Sequence, residues 1–522
     1  MNTANPQLEG LYLAFASINR LLVDKGLVTH GEIQKALQNV ERAVLDDTHL
    51  LDISGSHQMA VAFPIRVLLL ANEASERGDT FDFKDLAREV GRRTRRGNMT
   101  GTKPPQAAAI PADGAWDATL SLLREGYHFI PNRCRRLESE IFRTRLTLTE
   151  VICMRGPRAA ELFYGNAALT RQGSMPQTVL RLLQDKGSVQ QQDGDAHRHR
   201  KGLFVAILMA PGEVERLTGI FRSEWRAQLR HWQERDQIVL IDEVNRILTR
   251  AVCQWAGIPI GDSDERTTEL AGMVEYAGHF RPGTVAALWR RRRIERRIRH
   301  MVEDVRSGHL SIDPDSPLHR VATFPDLDGQ RLKAEVAAVE ILNMLRPVVA
   351  IGRFIVFAAL RLHQKPRWAE TFRDGGDDRL EGFAEEVRRS SPFFPFVGAR
   401  VKQDIEWQGH VLAKGQWLLL DLYGTTHDSQ LFSRPQEFDP ERQISWRDQG
   451  FDFIPQGAGA VATTHRCPGE MITVELLKES IRLICREMCY RVPPQDLSVK
   501  MNRVPALPES GFIMAEVKAR SR

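Results

Sequence analysis

Between Ile454 and Glu470 the chain reads IPQGAGAVATTHRCPGE, a glycine-rich loop that ends in one cysteine and passes directly into an apolar helical pattern, Met471 to Met488. Gly457, Gly459 and Gly469 let the main chain approach a flat ligand closely, and the free N–H groups and positive dipole end of the following helix favour a thiolate at Cys467. A thiolate so placed can be a haem axial ligand, a nucleophile or a small buried residue. Spacing alone leaves all three open, so the rest of the chain has to decide.

The setting is that of an ordinary globular chain. Of 522 residues, 42% are apolar and 27% charged, and a formal net charge of +5 is too small for this length to argue for nucleic acid or a membrane surface. The cysteines, Cys134, Cys153, Cys253, Cys467, Cys485 and Cys489, form no CxxC pair, no zinc spacing and no disulfide framework, which suits a reduced cytoplasmic setting. No basic-then-apolar leader opens the chain. The longest apolar region, Val336 to Leu362, is interrupted by Glu340, Arg346, Arg353 and Arg361, so neither a signal peptide nor a membrane span is expected.

Residues 1–96 read as a helical extension of three or four amphipathic helices, with Thr29 as an N-cap and Glu32 three residues on. Residues 97–114 gather Gly, Pro and Ala and read as a linker. Residues 115–522 are dominated by helical periodicity, with a minor β part: a strand near 148–154, and a hairpin or small sheet over 399–424 with turn signals at Gln408-Gly409 and Lys414-Gly415. The fold class is therefore mainly α with a minor β part.

Two further motifs precede the cysteine in order. EEVRRSSPF places Glu386 and Arg389 three apart on one helical face, and FDPERQ runs from Phe438 to Gln443. Alone, the Glu–Arg pair could be a surface pair of a few tenths of a kcal/mol. Together, the ExxR helix, the FxPxR segment and the loop ending in HRCPGE resemble the cytochrome P-450 superfamily, from about Asp117 to the end of the chain. The resemblance implies the triangular helical haem-thiolate fold with small sheets and haem b as cofactor. It also implies Cys467 as the axial iron ligand and Glu386, Arg389 and Arg442 as a structural network behind the haem. Gln456, Gly457, Arg466, Arg171, His197 and Lys201 are then cofactor-binding, the last three near the propionates. Arg198 and His199 fall on another helical face and read as solvated; a metal site in HRHR lacks a closed ligand set.

The cysteine loop is longer than the common P-450 loop and lacks Phe at its usual place. With RCPGE after a PQG start, it resembles the fatty-acid peroxygenase and decarboxylase branch. The long helix reads AAVEILNMLRPVVAIGRFIVFAAL, without the usual acid–alcohol pair and with Arg346-Pro347 in its place. Leu342, Leu345, Val349 and Ile351 describe an apolar wall, and Pro347, unable to donate to the Asn343 carbonyl, should kink or open the helix. A guanidinium in such surroundings demands a carboxylate; snorkelling to water, Glu340 or a haem propionate are the alternatives to a substrate. In the branch named, the Arg-Pro pair holds the fatty acid, which implies that a long-chain free acid supplies the missing acid–base group to hydrogen peroxide and that no reductase is obligatory. Attack is expected at the α or β carbon. Gln190 falls where alkene-forming members carry His and hydroxylating members carry Gln, while Gln184 and Asp185 replace a usual Phe-Gly; their neutral reading is a solvent-facing loop.

The basic run Leu288 to His300 reads as a solvated helix face, with reductase docking or an anionic surface as alternatives. The extension, including DFKDLAREVGRRTRR, faintly resembles a helix-turn-helix but offers no groove-reading set, and an interaction or oligomerisation role is preferred. The competing activities are oxidative decarboxylation to 1-alkenes, a partner-dependent monooxygenase, and, outside enzymes, a haem-binding sensor or interaction protein.

Overall fold

The computed structural model describes residues 6–46, 55–79, 85–86, 89–90, 109–185, 187–278, 282–442 and 450–520. The described residues fall into two compact units, Met1–Ala108 and Ala109–Arg522. In the first, helices Pro6–Asp24, His30–Asp46 and Gly55–Glu76 follow the amphipathic patterns of the sequence. Thr29 opens the second of these through a reciprocal cap: its N–H donates to Glu32 Oε2 at 2.8 Å, and Glu32 N–H donates to Thr29 Oγ1 at 3.2 Å. Val67, Leu70 and Ala71 pack with Leu86 and Val90 as a small core. Residues 97–108 of the expected linker, and most of the segment read as a faint helix-turn-helix, lie outside the described residues. Residues 109–114 belong to the second unit, where Ala112 bridges Arg143 and Asp113 accepts from Arg133 Nε and Thr144 Oγ1, each at 3.0 Å.

The second unit is mainly helical. Its central helices, Ala334–Ala350 and Gly352–Gln364, are packed on several sides by Leu240–Ala256, Ser263–Glu275 and Pro282–Ser307. Leu240, Val244, Ile247, Leu248, Ala251, Val252 and Trp255 recur at helical spacing and are all buried in this core, which is why one face of that helix turns inward. The segment Ala334–Gln364 is long and apolar enough to cross a membrane, but 94% of its most apolar window is buried inside the unit, which makes it a core helix.

The β part has three pieces. A five-stranded sheet has the order Ile141–Leu146, Thr149–Met154, Trp417–Asp421, Phe396–Val401, Leu169–Thr170, with only the second and third strands parallel. A three-stranded sheet joins Gln237–Val239, Ile513–Ala519 and Met488–Arg491. Ile405–Trp407 and His410–Leu412 form the expected hairpin, and its turn puts Gln408 and Gly409 at φ 50° and 77°.

Three expectations are corrected. Pro347 does not interrupt its helix; the break falls one turn later at Ile351, whose N–H reverts to the Val348 carbonyl at 3.1 Å. Packing of the helix against Leu240–Ala256, Ser263–Glu275 and Pro282–Ser307 offsets the backbone hydrogen bond lost at Pro347. The basic run is not wholly solvated: Arg291 is 1% exposed and turns inward with Ile294 and Ile298. His199 is half-buried, not solvated, with Nε2 at 2.9 Å from the Pro325 carbonyl oxygen and its ring against Phe324.

Candidate active site

A cavity of about 490 Å³ lies within the second unit. Cys467, Arg346, Pro347, Gln190, Arg171, His197, Lys201, Gln456, Gly457 and Arg466 all line it, although the sequence spreads them over three hundred residues. Val179, Leu183, Phe204, Ile351, Phe354 and Phe393 give it an apolar body.

On the cysteine side, the Glu470–Arg482 helix starts three residues after Cys467. The Cys467 N–H donates to the Gln456 carbonyl at 2.9 Å, which closes the loop on itself. Burial pushes the Cys467 thiol up, against the Gly469 N–H, the Lys201 charge and a Gln456 side-chain hydrogen bond, which all favour the thiolate. The helix-end argument from sequence therefore gives the right sign of one contribution and misses the larger one, desolvation. Gly457 sits at φ +97°, and a Cβ there would come within 2.9 Å of Arg466 Cα, so the loop tolerates no side chain at this point.

Behind this loop the ExxR pair is a bidentate, fully buried ion pair, with Arg389 Nε to Glu386 Oε2 and Nη2 to Oε1 both 2.7 Å. Arg442 Nε approaches Glu386 Oε2 at 3.4 Å and the Asp439 N–H donates to Oε1 at 3.0 Å, which ties the FDPER segment to the helix. These three residues stand outside the cavity lining.

At another part of the wall, Arg171, His197, Lys201 and His465 bring four nitrogen side chains together. Burial lowers Lys201 to about 8, Arg171 to about 10 and His197 to about 4, and pushes His465 well down. The His197 and His465 rings lie 4.0 Å apart. His465 was not singled out from sequence, though it stands two residues before the cysteine; only its approach to His197 reveals it. Arg171 and Lys201, buried cations at the cavity wall, favour an anionic group, and the carboxylates of a porphyrin would meet that demand. The residues present thus fit a haem: Cys467 would hold the iron, and Arg171, His197 and Lys201 would face its carboxylates.

Arg346 faces the same cavity, 7% exposed, and among the described residues no carboxylate pairs with it. Its Nε has no hydrogen-bond partner, and burial together with the Arg291 charge lowers the guanidinium to about 9. Glu340, the protein carboxylate that the sequence offered, is taken elsewhere: it accepts from Arg200 Nη1 at 2.9 Å, the Val189 N–H at 2.8 Å and Asn343 Nδ2 at 3.1 Å. The helical wall is also in a different phase from the expected one. Leu342, Leu345 and Val349 pack in the core and do not line the cavity, whereas Ile351 lines it as expected, together with Asn343, Met344 and Val348.

The Gln190 loop is not solvent-facing. Its backbone is pinned through Val189 to Glu340, and Gln190 Oε1 accepts from Asn343 Nδ2 at 3.2 Å. Gln184 also lines the cavity and accepts from Gln191 Nε2 at 2.5 Å, while Asp185, at φ 71°, lies 3.9 Å from Arg291.

Fold and site together fit a haem protein whose iron Cys467 would hold. The family model described as Cytochrome P450 matches residues 380–480. Cytochrome P450EX alpha (CYP152N1), solved with myristic acid, is 39% identical with a TM-score of 0.75, covering 79% of this chain and 100% of that one. Cytochrome P450SP alpha (CYP152B1), solved with (R)-ibuprophen, is 40% identical with a TM-score of 0.75, over 77% of this chain and 99% of that one. A cytochrome P450 OleT variant in complex with arachidonic acid is 32% identical with a TM-score of 0.76, over 80% and 100%. Among curated relatives, the cytochrome P450 monooxygenase ple5B of Rhodocybe pseudopiperita is 31% identical over 121 residues, 21% of each chain. Cytochrome P450 135B1 of Mycobacterium tuberculosis is 23% identical over 427 residues, 76% of this chain and 87% of its own. The chain belongs to the cytochrome P450 family, and a haem iron is its cofactor.

Proposed function

We propose that this chain is a peroxygenase, with haem b ligated by Cys467, that uses hydrogen peroxide to hydroxylate long-chain fatty acids at the α or β carbon. The observation that carries the reading is Arg346: a buried guanidinium beside an apolar cavity, with no carboxylate paired to it among the described residues. A fatty acid supplies the missing partner, and the similar structures solved with myristic acid and with arachidonic acid support that choice of ligand.

The chain's own residues then divide the work. Arg346 holds the carboxylate by its fork of donors, and this tether places the adjacent carbons nearest the thiolate side of the cavity. The apolar body contributes roughly 0.8 kcal/mol per buried CH₂, so long chains bind best. The helix carries no acid–alcohol pair, so the substrate carboxylate is the group positioned to accept a proton from peroxide and return it to the departing oxygen. The haem, when bound, supplies thiolate-assisted O–O cleavage. No reductase is required on this reading. The protein is assigned to the reduced cytoplasm, which suits its free cysteines.

Purified protein given peroxide and a mixture of free fatty acids, without nicotinamide or partner proteins, tests this: 2- and 3-hydroxy acids are expected, and turnover only with a reductase system would refute it. Decarboxylation to 1-alkenes is the competing outcome, and Gln190 argues against it, since by resemblance alkene-forming members carry His at this position and hydroxylating members carry Gln. A carboxamide does not titrate near working pH, whereas an imidazole does. Gln190→His is therefore expected to raise the alkene share from one saturated acid, read as product ratio under identical peroxide feed.

Residues 1–96 are proposed to be separable from the chemistry. A chain beginning at Ala109 is expected to fold and load haem. One beginning after Asp113 should be less stable, because Arg133 loses a buried partner; haem content per protein and urea midpoints check both.

A further inference from the structure

The basic run from Leu288 to His300 is only partly used inside the fold. Arg291 turns inward, and Arg293 and Arg297 are both ion-paired with Glu265 and Glu269. Arg292 and Arg296 are exposed and have no ion pair among the described residues. Earlier on the same Pro282–Ser307 helix, Trp289 is 65% exposed and Val285 is exposed with it. Positions 285, 289, 292 and 296 are spaced as one helical stripe, apolar at its start and basic further on.

The apolar end of this stripe lies at the rim of the cavity. Gly283 packs so closely on Tyr276 that a Cβ would overlap the ring, and the next two residues after Tyr276, Ala277 and Gly278, line the cavity. A Cβ on Gly278 would come within 2.5 Å of the Val504 carbonyl oxygen, and the Met501 carbonyl accepts from the Tyr127 N–H at 3.0 Å. The 501–505 turn thus joins this edge to the end of the Thr119–Glu125 helix. Leu123 and Asn502 both line the cavity and are exposed, which places its mouth here. On this second edge Trp116 is 75% exposed, Leu120 stands out with Leu123, and Arg124 is exposed beside them. Glu275 adds no free negative charge to the rim, because Arg353 at 2.5 Å and Arg503 at 2.8 Å both hold it.

Single exposed apolar residues need no explanation, but these line two edges of one mouth, each with exposed arginines. Tryptophan among apolar side chains, with guanidinium groups further out, matches the headgroup boundary of an anionic bilayer. An acidic protein would match the arginines but not the exposed Trp and Leu around an apolar cavity.

We propose that this rim docks the protein on an anionic lipid surface, without spanning it, so that a fatty acid passes from the bilayer into the cavity. The choice of cargo rests on the fatty-acid reading above, whereas the docking itself is measured without turnover.

The test sediments the full-length, haem-loaded protein with vesicles of phosphatidylcholine alone and of equal parts phosphatidylcholine and phosphatidylglycerol. The parent should bind the mixed vesicles, bind the neutral ones far less, and be released by salt. Arg292→Gln combined with Arg296→Gln should weaken partitioning roughly 30-fold. Trp289→Ser, and Trp116→Ser combined with Leu120→Ser, should each weaken it as well, with haem content as in the parent. No binding of the parent to mixed vesicles, or binding that none of these variants weakens, overturns the proposal. Loss in the arginine variant alone, the pattern an acidic protein partner requires, also overturns it. Vesicle binding by a protein that hydroxylates no free acid would instead remove the fatty-acid reading, so the two failures are distinguishable.

Discussion

Arg346→Ala is expected to lose roughly 30-fold or more of its peroxide-driven efficiency on long-chain acids, since truncating one partner of a buried charge pair costs on the order of 2–5 kcal/mol and each 1.36 kcal/mol is a decade. The loss should appear in both binding and turnover, because the same guanidinium fixes the acid and sets the carboxylate where a proton can be exchanged. Haem content and the ferrous–CO spectrum should stay as in the parent, because Arg346 is bonded to no other described side chain and its removal orphans no protein carboxylate. Steady-state rates against acid concentration, with haem content as the control, check it. Near-normal turnover in the variant would sink the acid–base argument.

Glu386→Ala should be the most damaging substitution to the fold itself. It leaves Arg389, 0% exposed, and Arg442 facing an empty position with their guanidinia still charged. Breaking a buried pair in this way costs about 3–5 kcal/mol, a large part of the 5–15 kcal/mol that holds a typical domain. The expected outcome is protein that loads little haem and unfolds at much lower denaturant, followed by urea titration of the Soret band against far-UV circular dichroism. A variant with the parent's midpoint would show that the pair is not structural.

The difference between these two arginines explains what could be read from the sequence. Glu386 and Arg389 belong to a local motif, so the pairing, the helix and the contribution of the FDPER segment were all legible. Glu385 and Arg388 have the same spacing one residue away, yet Arg388 also reaches Glu470, 82 residues downstream, and Gln456, which no local pattern links to it. The Ala334–Ala350 helix was legible as a core element with Arg346 at its functional point. Its phase was not, because a helix apolar on every side carries no amphipathic signal; the i, i+3 pair Asn343 and Arg346 was the better guide to the cavity face. Gln190 and Gln184 looked like a polar loop because polarity alone does not distinguish water from a buried network. Glu340 and Asn343, on a distant helix, hold that loop inward. His465 was hidden for a similar reason, since its significance is its 4.0 Å approach to His197 at the cavity wall.

The central claim is that the substrate's own carboxylate, held by Arg346, does the acid–base work. The most direct measurement compares a saturated long-chain acid with its methyl ester at equal micellar concentration, with hydrogen peroxide as the only oxidant and no nicotinamide or reductase. The account predicts hydroxy acids from the free acid and little or no product from the ester. Equal rates from acid and ester would contradict it.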